Sequence, residues 1–332
     1  MISFRDAADN QADSPVLTMA VPAYNAAQFL LTALRGLARF GPAIEVLVVD
    51  DGSNDTTGEL ADQYAARHPG VIRAIHQPNK GHGGAVNPAL DQARGTYFKV
   101  LDADDRLDPS ALASALGVLA ELERQGGVDL VISNYVFEPV GRQGSRPVRF
   151  RGILPLGQIF AWDGVGRFGT GQFLTMRSLM PRTAVLRRSG IRLPERTYYV
   201  DHLFVTGLLP SAERLYYADA DLYRYRIGLP NQSVGRAQMT ARVDQQVGIV
   251  QKVTQGMPQP DDVPEPLYRY LVHHADILCA LTSAMLAETT DGPSRRAAMW
   301  ARLAEDNPES HRQLRRRLAS RLSSLPSSSG RH

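Results

Sequence analysis

One cysteine, Cys279, stands in a chain of 332 residues. It excludes an intramolecular disulfide and any zinc site built on cysteines, and it makes the cytoplasm the expected compartment. Lysine is almost as scarce: of 37 basic residues only Lys80, Lys99 and Lys252 are lysines, and the other 34 are arginines. Most of that bias reads as GC-rich coding, with a share left for arginines that grip phosphate or carboxylate. Net charge is low, +3 at neutral pH, so a nucleic-acid partner is not expected. No apolar run approaches the roughly 18–20 residues of a membrane-spanning helix. The polar, acidic stretch over residues 1–14 does not read as a secretory leader. What remains is ordinary globular composition, 43% hydrophobic and 21% charged.

Short buried runs then alternate with amphipathic stretches. Residues 16–21, 44–49, 71–76, 97–101 and 128–133 read as strands, and 26–39, 56–67, 85–94 and 109–123 as helices. This alternation predicts an α/β fold, a Rossmann-like mixed, mainly parallel sheet flanked by helices. In such sheets ligands gather beyond the carboxyl ends of the strands. Residues 137–235 are irregular and rich in Gly, Pro and aromatics, and should close over the sheet. From Gln238 the pattern is helical over 241–254, 267–287, 294–303 and a basic 312–322. The expected organisation is a flexible tail (1–14), an α/β domain (15–235), a helical extension (236–322) and a disordered serine-rich tail (323–332).

The chemistry lies just after the strands. Pro22-Ala23-Tyr24-Asn25 follows the first; proline should end the strand, and Tyr24 is either a base-stacking aromatic or a plain turn tyrosine. Asp50 and Asp51 follow the second. Adjacent carboxylates at a buried strand end are costly unless satisfied. Asn54 and Asp55 suit helix capping, which leaves Asp50 and Asp51 to be explained, one of them as an acceptor for base or ribose. After the third strand, Gly81, Gly83 and Gly84 read as a loop entering a helix, with backbone N–H groups able to face an anion. This is not the dinucleotide fingerprint, since the third glycine is missing and the loop does not follow the first strand. After the fourth strand, Asp102, Asp104 and Asp105 place three carboxylates in four positions. All-oxygen ligands suit Mn2+ or Mg2+; the alternative is a solvated acidic turn, although Asp108 before Pro109 is already the natural cap. Together these residues imply a site for a nucleotide diphosphate balanced by a metal that acts on the leaving phosphate.

The ordered set 21–25 (Val-Pro-Ala-Tyr-Asn), 48–56 (Val-Val-Asp-Asp-Gly-Ser-Asn-Asp-Thr), 79–87 (Asn-Lys-Gly-His-Gly-Gly-Ala-Val-Asn) and 101–105 (Leu-Asp-Ala-Asp-Asp) resembles the family 2 glycosyltransferases of the GT-A fold. The resemblance covers about residues 15–235. It implies an inverting, metal-dependent transferase that uses a nucleotide-sugar, a UDP-sugar first. It also implies that Tyr24 and Asp51 contact the base and that Asp102 and Asp104 form the Asp-x-Asp metal site. The wider donor site would include Pro22, Ala23, Asn25, Gly81, His82 and Ala103. The family's general base falls on Asp201, in Tyr198-Tyr199-Val200-Asp201-His202, where the usual preceding acid is replaced by Val200; a helix cap is the competing role. Trp162-Asp163, Gly171-Gln172, residues 222–226 and residues 231–234 resemble a bacterial non-processive subgroup, with Arg224 or Arg226 reaching the donor pyrophosphate. No Gln-x-x-Arg-Trp motif of the processive synthases is present, so one sugar per acceptor is expected, in cell-surface glycan or polysaccharide assembly.

Other readings stay open: a sugar nucleotidyltransferase, a catalytically inactive nucleotide- or glycan-binding protein, or a transferase acting on a small natural product. The nucleotidyltransferase should carry glycines with Arg and Lys after the first strand, where this chain has Pro22-Ala23-Tyr24. Arg312, Arg315, Arg316, Arg317 and Arg321 with Leu314, Leu318 and Leu322 predict a basic amphipathic helix. It would either pack on its neighbours or make weak peripheral contact with the inner face of a membrane carrying a lipid-linked glycan acceptor.

Overall fold

The computed structural model describes residues 14–229 and 236–323, with side chains at 14–229 and 238–315. The expectations for the two tails, for 231–234 and for the side chains of Arg316, Arg317, Leu318, Arg321 and Leu322 lie outside the described residues. The chain divides into two compact units, Met1–Gly166 with Leu174–Gln232, and Arg167–Phe173 with Ser233–His332.

The first unit starts with β1 (Leu17–Ala23), α1 (Ala27–Leu34), β2 (Ile44–Asp50), α2 (Thr57–Arg67), β3 (Ile72–His76), α3 (Gly81–Gln92) and β4 (Tyr97–Val100). The four strands form a parallel sheet in the order β3-β2-β1-β4. Every residue of β1, β2 and β4 is buried. Strands covered on both faces read as near-continuous apolar runs, interrupted here by the buried Thr18, Glu45 and Lys99. Pro22 was expected to end β1, yet the strand runs on to Ala23 with Pro22 opposite Val49. The Ala20 carbonyl accepts from Leu101 N on the β4 side, so by alternation the Pro22 nitrogen also faces that side. There it lies past the last paired residue of β4, where no N–H is required.

The chain continues through β5 (Arg106–Leu107), α4 (Pro109–Arg124), β6 (Leu130–Pro139), β7 (Arg146–Val148), β8 (Ile159–Phe160), β9 (Leu179–Pro181), α5 (Thr183–Arg188), α6 (Asp201–Leu208) and β10 (Leu215–Ile227). The expected fifth parallel strand is β6, and it belongs to a second, mixed sheet. Its order is β5-β10-β6-β7, with β8 on β10 and β9 on β6. Only β6 and β10 run parallel there. The edge of β4 is met by the end of β9 through a Tyr97–Arg182 bridge, which leaves no place for β6 beside it. Within the stretch expected to be irregular, residues 215–227 form one long strand, β10, irregular only between Ala218 and Tyr223. Asp108 caps α4, accepting from Ser110 N and Ala111 N at 3.1 and 3.0 Å, with Pro109 at the first helical position.

The second unit holds α7 (Arg236–Ala241), α8 (Val243–Gln255), α9 (Glu265–Leu286), α10 (Gly292–Asp306) and α11 (Pro308–Ser323). Its short segment Arg167–Phe173 lies along α9. Phe168 packs on Tyr270 with ring centres 4.7 Å apart, and the Gln172 carbonyl is 2.8 Å from His273 Nε2. Leu314, one of the three leucines of the predicted amphipathic face, is fully buried, so that side chain packs against protein. Among the described residues no helix is long and apolar enough to cross a membrane.

Candidate active site

The carboxyl ends of β1, β2 and β4 bring the predicted motifs together. Tyr24 follows β1 and is 49% exposed. Asn25 holds a left-handed backbone, φ 48°; its N–H donates to Ser53 Oγ at 3.0 Å, and its Oδ1 accepts from Asn54 N at 2.8 Å. Asparagine tolerates that conformation better than most residues, and the pair of bonds locks the β1 turn to the β2 turn.

The two acids at the carboxyl end of β2, Asp50 its last residue and Asp51 the next, are satisfied by the protein. Asp50 accepts from Ser53 N at 3.1 Å and lies 3.2 Å from His76 Nδ1. Asp51, 2% exposed, accepts from Gln77 Nε2 at 2.6 Å and Lys80 N at 2.8 Å through Oδ1, and from Gly81 N at 2.7 Å through Oδ2. Gly81 begins α3, so Gly81–Gly84 are its first turn and not the loop expected from sequence. The anion at this helix N-terminus is Asp51 itself. The glycines admit the segment 193–196. A Cβ on Gly83 would come within 2.7 Å of the Pro194 carbonyl oxygen, and one on Gly81, whose φ is +75°, within 3.0 Å of the Arg196 backbone.

At the end of β4 the acidic cluster contains its own cations. Asp102 Oδ1 is 2.9 Å from His82 Nε2, and Oδ2 accepts from Arg177 Nη2 at 3.0 Å and Tyr223 OH at 3.2 Å. Burial alone would raise the Asp102 carboxyl, but the charge of Arg177 and the bonds from His82 and Tyr223 hold it well below the usual carboxylate range. Burial works against the imidazolium of His82, but the Asp102 hydrogen bond and charge, and the charge of Asp201, raise its pKa. With 38% of the His82 side chain exposed, the carboxylates control it. Asp105 is buried and structural, accepting from Tyr223 OH at 2.7 Å and Arg226 N at 2.8 Å. Burial, with Asp102 and Asp104 nearby, pushes its carboxyl well up.

Lys99 lies beneath, fully buried, and donates to the Arg177 carbonyl at 2.7 Å. Burial, then the charge of Arg177, pushes its ammonium down to about 7 from 10.5. Between those values the unfolded chain binds the proton and the folded chain does not, so stability rises with pH and is lost as pH falls toward 7. The stability difference between wild type and Lys99→Met should therefore move in favour of wild type from pH 7 to 10, by up to about 1.4 kcal/mol per unit. Thermal unfolding across that range checks it; a difference that does not change with pH would contradict it.

Two sequence expectations separate here. Side chains alternate along β10. Tyr223 and Tyr225 turn toward Arg177, whereas Arg224 pairs with Asp108 at 3.1 Å and Glu138 at 3.6 Å. Arg226 reaches the acidic turn, its Nη1 donating to the Asp104 carbonyl at 3.3 Å, with its guanidinium 5.5 Å from the Phe29 ring centre. Asp201 opens α6 without capping it, and its carboxylate makes no hydrogen bond or ion pair among the described residues. Tyr199, two residues earlier, has a left-handed φ of 63°, a strained conformation for an aromatic residue. Arg177 was not anticipated: it belongs to no motif, and its only sequence signal is one charge in the apolar run 173–181.

Among the described residues no three His, Cys, Asp or Glu side chains converge as a ready metal cage. Asp102 and Asp104 are oxygen donors two residues apart, both half-buried, and a cation would share Asp102 with His82, Arg177 and Tyr223. That set fits a hard cation that draws its other ligands from phosphates and water, and it does not fit a closed structural site.

A parallel sheet with an acidic turn at its edge, extended by a mixed sheet, defines a GT-A-type nucleotide-binding fold. The TarS fragment 1–349 of S. aureus shares it, with a TM-score of 0.66 at 20% identity over 90% of this chain and 82% of that one. So does the mannosyltransferase PcManGT of Pyrobaculum calidifontis, solved with GDP-Man and Mn2+, at 0.52 and 19% over 95% and 82%. Residues 18–180 match Glycosyl transferase family 2. The uncharacterized glycosyltransferase EpsJ of Bacillus subtilis is 30% identical over 220 residues, 64% of this chain and 61% of that protein. The chain thus spans less than two thirds of that relative. It carries a family 2 glycosyltransferase domain.

Proposed function

We propose that this protein transfers a single sugar from a nucleotide-sugar to an acceptor hydroxyl, with inversion at the anomeric carbon. The observation that carries the reading is the Asp201 carboxylate. It has no hydrogen-bonding or ion-pair partner among the described residues, yet its charge acts on His82, which is bonded to Asp102. Asp201 takes the proton of the acceptor hydroxyl as that oxygen attacks the face of the sugar opposite the diphosphate. Tyr24 stacks on the base, and Pro22, Ala23, Asn25, Asp51 and Gly81 shape the nucleoside pocket. His82, Asp102 and Ala103 border the ribose and diphosphate. Arg226, which lies at the acidic turn, faces the diphosphate, whereas Arg224 points to Asp108 and Glu138. Asp102 and Asp104 would hold Mn2+ or Mg2+, which when bound supplies positive charge at the leaving diphosphate.

Structural neighbours bound to UDP-GlcNAc and to GDP-Man with Mn2+ support a nucleotide-sugar donor, and we take a UDP-sugar first. The acceptor we assign is a cell-surface or lipid-linked glycan. A thermal-shift series with UDP-, GDP- and dTDP-sugars and Mn2+ tests the donor. One nucleotide at 100-fold over its Kd should add about 2.7 kcal/mol of stability, and slow hydrolysis of that donor should separate an enzyme from a binding protein. No stabilisation by any of the three would overturn the reading.

A further inference from the structure

Arg177 is more firmly held than a chance neighbour of Asp102 would be. It sits in the turn Met176–Ser178, 75 residues along the chain from Asp102. Its guanidinium carbon lies 4.0 Å from the Tyr225 ring centre and 5.9 Å from that of Tyr223. Nη2 donates to Asp102 at 3.0 Å, and Nε stands 3.6 Å from Asp105 Oδ2. Its carbonyl is fixed from below by Lys99 Nζ at 2.7 Å. Tyr223 OH completes the frame, bridging Asp102 and Asp105.

An acidic cluster held together only by a bound divalent cation would have no arginine at its centre. We propose that Arg177 is the positioning residue of the donor site, a resident cation that fixes the Asp102 carboxylate before nucleotide or metal arrives. The inference rests on the reading of Asp102 and Asp104 as the donor edge. A carboxylate already frozen in place loses little side-chain freedom when the donor binds. The planar fork serves this role in a way an ammonium cannot, because it lies against Tyr225 while donating to Asp102.

The test is calorimetric titration of UDP with Mn2+ into wild type, Arg177→Met and Arg177→Lys, alongside thermal unfolding of each. Arg177→Met should weaken UDP affinity tenfold or more, and Arg177→Lys should recover part of it, because the charge remains while the stacked fork is lost. A merely structural role would leave the affinity of the folded variant unchanged, so binding within twofold of wild type overturns the inference. If Arg177→Met does not fold, Arg177→Lys decides alone: a threefold or greater loss supports the role and unchanged affinity overturns it. If wild type binds none of UDP, GDP and dTDP, the donor reading itself fails, and the inference fails with it.

Discussion

Asp201→Asn will leave nucleotide-sugar binding intact and lower turnover by about 10²–10⁴-fold, the usual contribution of a general base. The substitution is nearly isosteric and removes only the charge that accepts the proton. A structural role would predict a different result, but the structure leaves little room for one. Asp201 occupies the first helical position of α6 with no capping bond, so no orphan N–H depends on it. Calorimetry of donor binding and a turnover assay separate the two possibilities. Undiminished turnover would make Asp201 a bystander.

Asp104→Ala is expected to abolish the gain in activity that Mn2+ gives, a loss on the order of 10²–10³-fold, while thermal unfolding stays close to wild type. The neighbouring acids explain the selectivity. Asp105 is tied into β10 through Tyr223 and Arg226, so its loss would damage the fold. Asp102 is bound to Arg177 and His82. Asp104 is only half buried, so truncating it should cost the fold less than truncating the buried Asp105. Full activity of the variant, or of wild type in excess EDTA, would remove the metal from the mechanism.

Much of this site was legible because its signals are local. Buried strands, the acids at their ends and the Asp108 cap each occupy a few consecutive residues. What was misread depends on distant partners. Gly81–Gly84 look like a loop until Leu193 and Pro194 arrive to pack on them. Asp50 and Asp51 look unsatisfied until the turns that follow fold back, and the answer then comes from Ser53, His76, Gln77 and Gly81. The three acids after β4 implied a missing cation, but part of that charge comes from Arg177, which no spacing rule ties to Asp102. Arg224 and Arg226 are a different case. Alternation puts both on one face, and their partners separate them: Arg224 meets Asp108 and Glu138, whereas Arg226, two residues on, bonds Asp105 through its backbone and reaches the Asp104 carbonyl.

The most direct measurement is the configuration of the sugar first released when the enzyme hydrolyses its donor, followed by proton NMR before the anomers equilibrate. With an α-linked nucleotide-sugar, attack opposite the diphosphate predicts the β-anomer first, and Asp201→Asn should slow its appearance. Release of the α-anomer first, or a rate indifferent to Asp201→Asn, would contradict the account.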